Sequence, residues 1–411
     1  MTLGIVYHMP FWRASDGTLR EVEGSFARYV DSLAPYFDTV VLCVPVLDQP
    51  RGQGTAIRSD NVRLAPLPPF DGPAQFYPRL PMMMPRLLQF VRSVDLLHYR
   101  VPTPAAVFAS ACARLFGRPE FVLVVGDLRA LLPSMPYRGV KRLLWRAYTA
   151  FEERNVQHLA DGAPTFANGE ALTLKHSRGG RAIIQAQTTT IDAGAVNERT
   201  DTCADSRVRM LTVSRIDPRK GLRVLPEAVR LLIDRGIDAT LDIVGGVVGR
   251  PGEDERGSIA EAARSFGVAD RVSLAGPVPL DQLLPRYRAY DVFVLPTLPG
   301  EGIPRVLLEA MAGGLPVVTS RVSGIPSLVS HEDNGLLLDS PSATAVADAV
   351  VRLAHDGALR RQIISHGYDT ARAHTLEAEA ARMMRDVSAR LGLTLRPSAA
   401  RQLTDSPFRG A

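Results

Sequence analysis

The sequence predicts an α/β fold with two domains, each built on a doubly wound parallel sheet. The chain has 411 residues, which is more than one hydrophobic core usually supports. Short apolar, strand-like runs alternate with helical patterns in both halves, and this is the rhythm of parallel β-α-β units. Between the halves, residues 190–207 (TIDAGAVNERTDTCADSR) are polar and lack periodicity, which indicates a connection between two domains.

The predicted elements follow in order along the chain. The first domain, residues 1–190, begins with the strand LGIVYH and continues with the runs VVLCVPV, DLLHYR and FVLVVGD. Residues 48–86 are rich in proline and have no clear period, so we expect an irregular binding loop or a lid there. After a linker over 191–206, the second domain, residues 207–375, contains the runs VRMLTVSR, ATLDIVGG, RVSLAGPV, DVFVLPT, LPVVTS and GLLLD. An amphipathic helix is predicted over 376–392 and a flexible tail over 393–411.

The composition restricts the class of protein. Hydrophobic residues make up 46% of the chain and charged residues 22%, which is typical of a globular protein. The net charge of +5 suits anionic partners, but aromatic residues are few and charges are dispersed, so we expect no nucleic-acid-binding face. Three widely spaced cysteines argue against a disulfide scaffold or a zinc ribbon. The first strand does not have the pattern of a signal peptide, and no apolar run is long enough to span a bilayer. We therefore expect a cytoplasmic protein, soluble or bound to the inner face of the membrane.

The stretch PGEGIPRVLLEAMAGGLPVV, residues 299–318, places two carboxylates around the start of a predicted helix. Pro304 suits the first position of that helix, and the unpaired N–H groups of Arg305, Val306 and Leu307 would attract phosphate. Ligands of open α/β sheets bind at such carboxyl ends of strands.

Glu301 would lie at the mouth of this loop and Glu309 inside the helix. Neither position suits a buried carboxylate without partners, and the hydroxyls of a sugar or a ribose are suitable donors. The alternative is that Glu301 stabilises the helix dipole while Glu309 forms a salt bridge.

A second cluster lies in LTVSRIDPRKGL, residues 211–222, between a strand and a helix. Arg215 and Lys220 are five residues apart across a turn that contains proline, so both side chains can point at one anion above the sheet. A diphosphate would require such charges. The alternative is two solvated charges in a loop.

Taken together, residues 208–375 resemble the donor-binding domain of the family 4 retaining glycosyltransferases. The segments SRIDPRKGL, LDIVGG, DRVSLAGPVP, LLPRYRAYDVFVLPT, EGIPRVLLEAMAGGLPVV and SGIPSLVSHEDNGLLLD occur in the order of that family. The resemblance implies the GT-B fold, in which two Rossmann-like domains face each other across a cleft and a C-terminal helix returns to the first domain. It also implies a retaining transfer of a hexosyl group from a UDP- or GDP-sugar to an acceptor hydroxyl, in the synthesis of a cell-surface polysaccharide, a glycolipid or a glycosylated metabolite.

The same resemblance implies roles for the candidate residues. Glu301 would lie beside the transferred sugar and Glu309 on the ribose, while Arg215 and Lys220 would neutralise the diphosphate. Further contacts to the donor would come from the amides of Arg305, Val306 and Leu307 and, around the nucleobase, from the loop Gly276, Pro277 and Val278.

The first half resembles the family only in rhythm and length. Where many members have a histidine that touches the donor sugar, this chain has Asp127, which is a candidate sugar contact or, alternatively, the cap of the next helix. Gly24 precedes the first predicted helix and is a candidate for a glycine loop facing the diphosphate. His8 ends the first strand and either faces the ligand or has a structural role.

A helical stretch in the first half combines an apolar stripe with basic residues. The stripe consists of Val140, Leu143, Leu144, Ala147, Tyr148 and Phe151, and the residues off it include Arg138, Lys141, Arg142, Trp145 and Arg146. Such a helix either packs on the protein with ordinary solvated arginines or docks on anionic lipid, which would suit a lipid-linked acceptor.

We expect no cofactor and no essential metal, because the sequence has no Asp-x-Asp pair and no cluster with metal-ligand spacing. Three rival functions remain. A dinucleotide-dependent oxidoreductase is disfavoured because no GxGxxG follows the first strand. A sugar-nucleotide epimerase of the same fold would consume no acceptor. A non-catalytic nucleotide-sugar-binding or scaffold protein would not need the two carboxylates and two cations together.

Overall fold

The structure is a computed structural model, and it describes residues 1–22, 24–50, 54–70, 72–130, 132, 137–196, 198–299 and 303–398. The chain divides into two compact units. Unit 1 comprises Met1–Thr188 together with Leu376–Ala411, and unit 2 comprises Thr189–Thr375. Each unit has its own parallel sheet with helices packed on it, so the predicted α/β class is confirmed.

Unit 1 contains a seven-stranded sheet in the order β10-β9-β8-β7-β1-β4-β6, with every pair parallel. Unit 1 also contains a small antiparallel sheet in the order β2-β3-β5, whose strands come between β1 and β6 in the sequence. The strands are β1 (Thr2–Val6), β2 (Phe11–Arg13), β3 (Leu19–Glu21), β4 (Thr39–Pro45), β5 (Thr55–Ala56), β6 (Val62–Leu67), β7 (Leu96–Val101), β8 (Glu120–Val124), β9 (Thr165–Asn168) and β10 (Ile183–Ala186). The helices are α1 (Ser25–Leu33), α2 (Pro73–Arg92), α3 (Ala105–Leu115), α4 (Gly139–Gly162), α5 (Glu170–His176) and, from the end of the chain, α12 (Leu376–Leu391).

Unit 2 contains a six-stranded sheet in the order β13-β12-β11-β14-β15-β16, again with every pair parallel. Its strands are β11 (Arg207–Val213), β12 (Asp238–Val244), β13 (Val272–Gly276), β14 (Val292–Leu295), β15 (Val317–Ser320) and β16 (Leu336–Leu338). Its helices are α6 (Leu225–Asp234), α7 (Gly249–Ser265), α8 (Leu280–Arg286), α9 (Arg305–Ala312), α10 (Ala343–His355) and α11 (Gly357–Ala373). Because the strand order reverses between β11 and β14, the carboxyl ends of these two strands form the switch point at which such sheets bind ligands.

The segment predicted as a linker is packed into unit 2. Ile191 is fully buried in the core of that unit, and Asp201 pairs with Arg360 at 2.5 Å. Arg199 donates to the carbonyl of Gly314 at 3.1 Å. The segment is therefore attached to the rest of unit 2 by a buried apolar residue, an ion pair and a hydrogen bond, while several of its other residues are exposed.

Residues 48–86 differ from the predicted irregular loop, because they include β5, β6 and most of α2. Helix α2 has three internal prolines, Pro78, Pro81 and Pro85, and all three lie on its exposed face. Water can satisfy the carbonyls that the prolines leave unbonded there. The opposite face buries Phe76, Met83, Leu87 and Phe90 at helical spacing, and this burial outweighs the low helix propensity of proline.

The C-terminal helix α12 packs on the sheet of unit 1, as the predicted fold requires. Met384 and Val387 are fully buried in the core that also contains Leu3 and Ile5 of β1. After α12, the Ser398 amide donates to the carbonyl of Pro35 at 2.9 Å, so the described part of the predicted tail is attached to unit 1. Residues 399–411 lie outside the described part of the chain.

Candidate functional site

Three neighbouring loops of unit 2 are hydrogen-bonded to one another at the carboxyl edge of its sheet. The amide of Ser214, after β11, donates to Val244 at 3.0 Å, and that of Ile216 donates to Gly246 at 2.9 Å. The amide of Gly245, after β12, donates to the carbonyl of Gly276 at 2.9 Å. The loops after β11, β12 and β13 therefore form one continuous surface.

Two glycines make this close approach possible. Gly245 has φ +153°, and a Cβ there would lie 1.8 Å from the carbonyl oxygen of Ser214. Gly221 has φ +66°, and its Cβ would lie 2.0 Å from the carbonyl oxygen of Pro296. A side chain at either position would clash with backbone, so both loops require glycine.

The loop after β11 is also attached to the segment that leads into α9. The Leu298 amide donates to the carbonyl of Arg219 at 2.8 Å, and the Thr297 hydroxyl donates to the same oxygen at 3.1 Å. This places the loop that contains Arg215 and Lys220 beside the segment that follows β14. Glu301 belongs to residues 300–302, which lie outside the described part of the chain.

The two predicted cations differ in their exposure. Arg215 is exposed, whereas Lys220 is only 8% exposed. Lys220 ends a 3₁₀ turn, Pro218–Lys220, whose start is capped by Asp217 through the Arg219 amide at 3.0 Å. Arg219 also pairs with Asp217 at 2.6 Å, and its hydrogen bond lowers the pKa of Asp217. Asp217 is therefore paired with Arg219, and Arg215 and Lys220 of the same loop are the candidate cations for a ligand.

Helix α9 begins at Arg305, one position later than predicted, and Pro304 is its N-cap residue. The N-cap has no side-chain hydrogen bond. The Leu307 amide donates to the carbonyl of Pro304 at 3.1 Å, so the prediction that this amide is unpaired is wrong. A tight first turn supplies its acceptor. The amides of Arg305 and Val306 stay candidates for phosphate.

Glu309 is buried, with 4% of its surface exposed, and both of its carboxylate oxygens accept hydrogen bonds from the chain. The Thr190 hydroxyl donates to Oε1 at 2.5 Å, and the Tyr287 hydroxyl donates to Oε2 at 2.8 Å. Burial and the charge of Glu309 raise the pKa of Tyr287 well above its usual value. Since each carboxylate oxygen has two lone pairs, one acceptor site on each oxygen is still unused by these two bonds.

The loop predicted to hold a nucleobase has open space around it. Gly276 has φ +71°, and no atom lies within 4 Å of the position that a Cβ would occupy. Pro277 is exposed and Val278 is half-buried. The partly exposed apolar side chains of Pro277 and Val278, next to Gly246, suit an aromatic ring.

In unit 1, Asp127 already has partners on both of its oxygens. Oδ1 accepts from the amides of Arg129 and Ala130 at 2.9 and 3.1 Å, and Oδ2 accepts from Lys175 Nζ at 2.8 Å. Burial acts to raise the pKa of Asp127, but the Lys175 and Ala130 hydrogen bonds outweigh it and lower the pKa. Asp127 therefore caps the turn at residues 128–130 and pairs with Lys175, so both of its oxygens already have partners within the chain.

The start of α1 also holds an anion that belongs to the chain. Gly24 is the N-cap residue with φ +83°, and the next amides, those of Phe26 and Ala27, both donate to the fully buried Glu21 carboxylate at 3.2 Å. The helix dipole there is compensated by Glu21. Gly24 therefore does not open onto a free phosphate-binding helix start.

A cavity of about 640 Å³ lies in unit 1 and is lined mainly by apolar side chains. Its lining includes His8, Phe70, Arg79, Trp145 and Tyr148. Burial, followed by the charge of Arg100, lowers the pKa of His8 to about 4, so this imidazole is neutral at neutral pH. The size and lining are typical of a small-molecule site.

One buried cation near this cavity was not predicted from the sequence. Arg100, in β7 next to β1, is 6% exposed, and its Nε and Nη1 atoms are buried with no hydrogen-bond partner among the residues that the structure describes. Its guanidinium lies over the rings of Tyr7, Phe26 and Tyr29 at 5.2, 5.4 and 4.7 Å. A buried charge without a counterion is costly, which marks a position for an anionic ligand.

The sequence of unit 2 is similar to known glycosyltransferases. Residues 207–356 match the family model described as glycosyl transferases group 1. The chain is 34% identical over 173 residues to the D-inositol 3-phosphate glycosyltransferase of Corynebacterium glutamicum, which covers 42% of this chain and 41% of that protein. It is 35% identical over 156 residues to a GDP-mannose-dependent phosphatidylinositol monomannoside mannosyltransferase of Mycobacterium tuberculosis, covering 36% and 39%. These matches span about two fifths of the relatives' length.

Solved structures extend the likeness of fold to nearly the whole chain. The Anabaena protein HepE, in complex with UDP and glucose, aligns over 95% of this chain and 100% of its own with a TM-score of 0.67 and 18% identity. The lipopolysaccharide glycosyltransferase WaaG aligns over 94% and 99% with a TM-score of 0.63 and 15% identity. The predicted GT-B fold is confirmed by these alignments, which at such identity concern the fold alone.

Proposed function

We propose that the chain transfers a hexosyl group from a nucleoside diphosphate sugar to an acceptor hydroxyl, with retention of configuration. The proposal starts from the match of residues 207–356 to the model of the glycosyl transferases group 1. The observation that carries the proposal is the convergence of four loops at one edge of the unit 2 sheet. These loops bring together two cations, a helix start, a buried carboxylate and an open glycine surface. Each matches one part of a nucleotide sugar.

Each part of the donor has a proposed partner. The nucleobase lies against Gly276, Pro277 and Val278, and the ribose hydroxyls donate to the unused lone pairs of Glu309. The diphosphate is held by the side chains of Arg215 and Lys220 and by the backbone amides at the start of α9. Glu301 is proposed to contact the transferred sugar on the strength of the family resemblance alone, since it lies outside the described residues.

The chemistry follows from charge. When the bond between the anomeric carbon and the phosphate oxygen breaks, negative charge develops on the departing diphosphate. We propose that Arg215, Lys220 and the positive end of α9 stabilise that charge. The acceptor oxygen then bonds to the anomeric carbon on the face that the diphosphate leaves, and the acceptor proton passes to the leaving phosphate. This route uses no separate base, and we expect no metal requirement because the two cations neutralise the diphosphate.

The comparisons support candidate substrates without fixing one. One relative uses GDP-mannose and phosphatidylinositol monomannoside by its name, and one structural neighbour was solved with UDP and glucose. We propose a UDP- or GDP-hexose as donor. For the acceptor we propose a hydroxyl compound bound in the unit 1 cavity, with an anionic group that pairs with Arg100.

The substitution Arg100→Met tests the acceptor part of this proposal. Methionine keeps an apolar side chain over the three rings, and removal of an unpaired buried charge costs little or no stability. We expect the melting temperature to stay the same or rise, while the KM for an anionic acceptor rises at least tenfold. Donor hydrolysis without acceptor serves as the control and stays unchanged. A loss of melting temperature with unchanged KM would contradict the acceptor role and indicate a structural one.

The overall function is tested by incubating the protein with UDP- and GDP-hexoses and candidate acceptors, with and without EDTA. Mass spectrometry detects the glycosylated product, and NMR reads the configuration of its anomeric carbon. We expect a product with the donor's configuration that forms equally in EDTA. Interconversion of the nucleotide sugar without acceptor consumption would instead indicate the epimerase, and donor binding without any turnover would indicate a binding protein.

A further inference from the structure

Helix α4 presents its apolar stripe to solvent. Val140, Leu143 and Leu144 are 73%, 66% and 63% exposed, and Phe151, further along the same stripe, is 45% exposed. These positions follow the spacing i, i+3, i+4 and i+11, which places them on one side of the helix. The side chains that face unit 1 are instead Thr149, Glu152 and Val156. The helix is therefore turned so that its apolar side faces outward.

The charge around the exposed stripe has one sign. Arg138, Lys141, Arg142 and Arg146 are all exposed, and no acidic residue occurs in the sequence from Arg138 to Phe151. Exposed leucines flanked by lysine and arginine are the pattern of a helix that lies in the plane of a lipid interface. Basic side chains at that depth are attracted by anionic headgroups.

We propose that the first turns of α4 dock on a bilayer surface that contains anionic phospholipid, with Leu143 and Leu144 entering the interface. A second copy of this chain is a poorer occupant, because a symmetric contact would bring two basic patches of the same sign together. The segment 399–411 is also a poor one, since its sequence has two arginines against one aspartate and does not complement a basic surface.

The docked helix would also border the acceptor cavity. Trp145 and Tyr148 of α4 line the cavity of unit 1. Tyr148, a member of the predicted stripe, therefore differs from Leu143 and Leu144, which are exposed to solvent. A lipid-linked acceptor could then reach the cavity from the membrane surface. This surface is defined by exposure and charge, so the docking proposal stands independently of the donor site.

Sedimentation of the full-length chain with vesicles tests the proposal. The two vesicle types are phosphatidylcholine alone and phosphatidylcholine mixed with phosphatidylglycerol. We expect binding to the mixed vesicles and at least tenfold weaker binding to the neutral ones. Two double variants, Leu143→Ser/Leu144→Ser and Lys141→Glu/Arg142→Glu, should each reduce binding to mixed vesicles at least tenfold. All four side chains are exposed, so the fold is expected to survive, which a melting curve checks.

Matched controls come from exposed residues of unit 1 outside the stripe. The variants Leu115→Ser/Leu174→Ser and Arg154→Glu/Arg178→Glu remove side chains of the same kinds and should leave vesicle binding unchanged. The proposal is overturned if the wild type does not bind mixed vesicles, or if the double serine variant binds as well as the wild type, which would mean adsorption by charge alone. It is also overturned if light scattering shows a dimer that the double serine variant converts to a monomer.

Discussion

Replacing Lys220 by methionine is expected to lower kcat by about 10²- to 10³-fold, which is the cost of removing one preorganised group that stabilises developing charge. Lys220 is nearly buried beside the loop that leads to α9, so its charge acts on the leaving diphosphate at low effective dielectric. Methionine retains most of the volume of the lysine side chain. The measurement is the initial rate of product formation at saturating donor.

A second variant, at Arg215, and a control variant, at Arg230, are measured in the same assay. Arg215→Ala removes an exposed guanidinium from the same loop, so we expect a smaller loss of kcat, of about tenfold, with an unchanged melting temperature. Arg230→Ala is the matched control, since Arg230 is an exposed arginine on α6 that pairs with Asp234 at 2.5 Å, and its kcat should equal that of the wild type. A Lys220→Met enzyme with kcat within about threefold of wild type would contradict the assigned role.

Replacing Glu309 by glutamine is expected to weaken nucleoside diphosphate binding by about 10- to 100-fold, because hydrogen bonds to a charged acceptor contribute roughly 1.5–3 kcal/mol. Glutamine keeps one oxygen for the Thr190 hydroxyl, and its NH₂ group can donate to the Tyr287 oxygen. We therefore expect only about 1 kcal/mol loss in the free energy of unfolding. Isothermal titration calorimetry gives the affinity and chemical denaturation gives the stability.

The control for this prediction is Tyr287→Phe, which removes one partner of Glu309 and leaves the carboxylate in place. Its nucleotide affinity should remain within about threefold of wild type, since the charge that binds the ribose is retained. If Glu309→Gln binds the nucleotide as tightly as wild type while Tyr287→Phe behaves likewise, Glu309 is a structural residue that orders α9 against Tyr287 and Thr190.

Local sequence signals were sufficient to locate the loops of the candidate site. Apolar runs predicted the strands β11 and β14, and the prolines and glycines a few residues further on predicted the turns after them, because backbone geometry restricts which residues can occupy such turns. The position of Arg215 and Lys220 after β11 followed from the same signals. The partners of Glu309 did not follow, because Thr190 is 119 residues away in the chain and meets α9 only through tertiary packing.

Burial was the property that the sequence did not provide. Arg100 was one of many arginines in the sequence, and only the structure shows that it lies over three aromatic rings with no counterion in the described part of the chain. The periodicity of α4 predicted an apolar stripe but not the side of the helix that faces the protein. In α2, local propensity was misleading, because packing of Phe76 and Met83 outweighs the effect of three exposed prolines.

The measurement that tests the central claim most directly is a thermal shift of the wild-type chain and of Lys220→Met and Glu309→Gln with UDP, GDP and ADP. A ligand that binds only the folded state stabilises that state by RT ln(1 + L/Kd), where L is the free ligand concentration, and so raises the melting temperature. We predict that one nucleoside diphosphate stabilises the wild type and that both substitutions strongly reduce the shift. If no nucleotide shifts the wild type at millimolar concentration, or if both variants shift as much as the wild type, the edge of the unit 2 sheet is not the donor site.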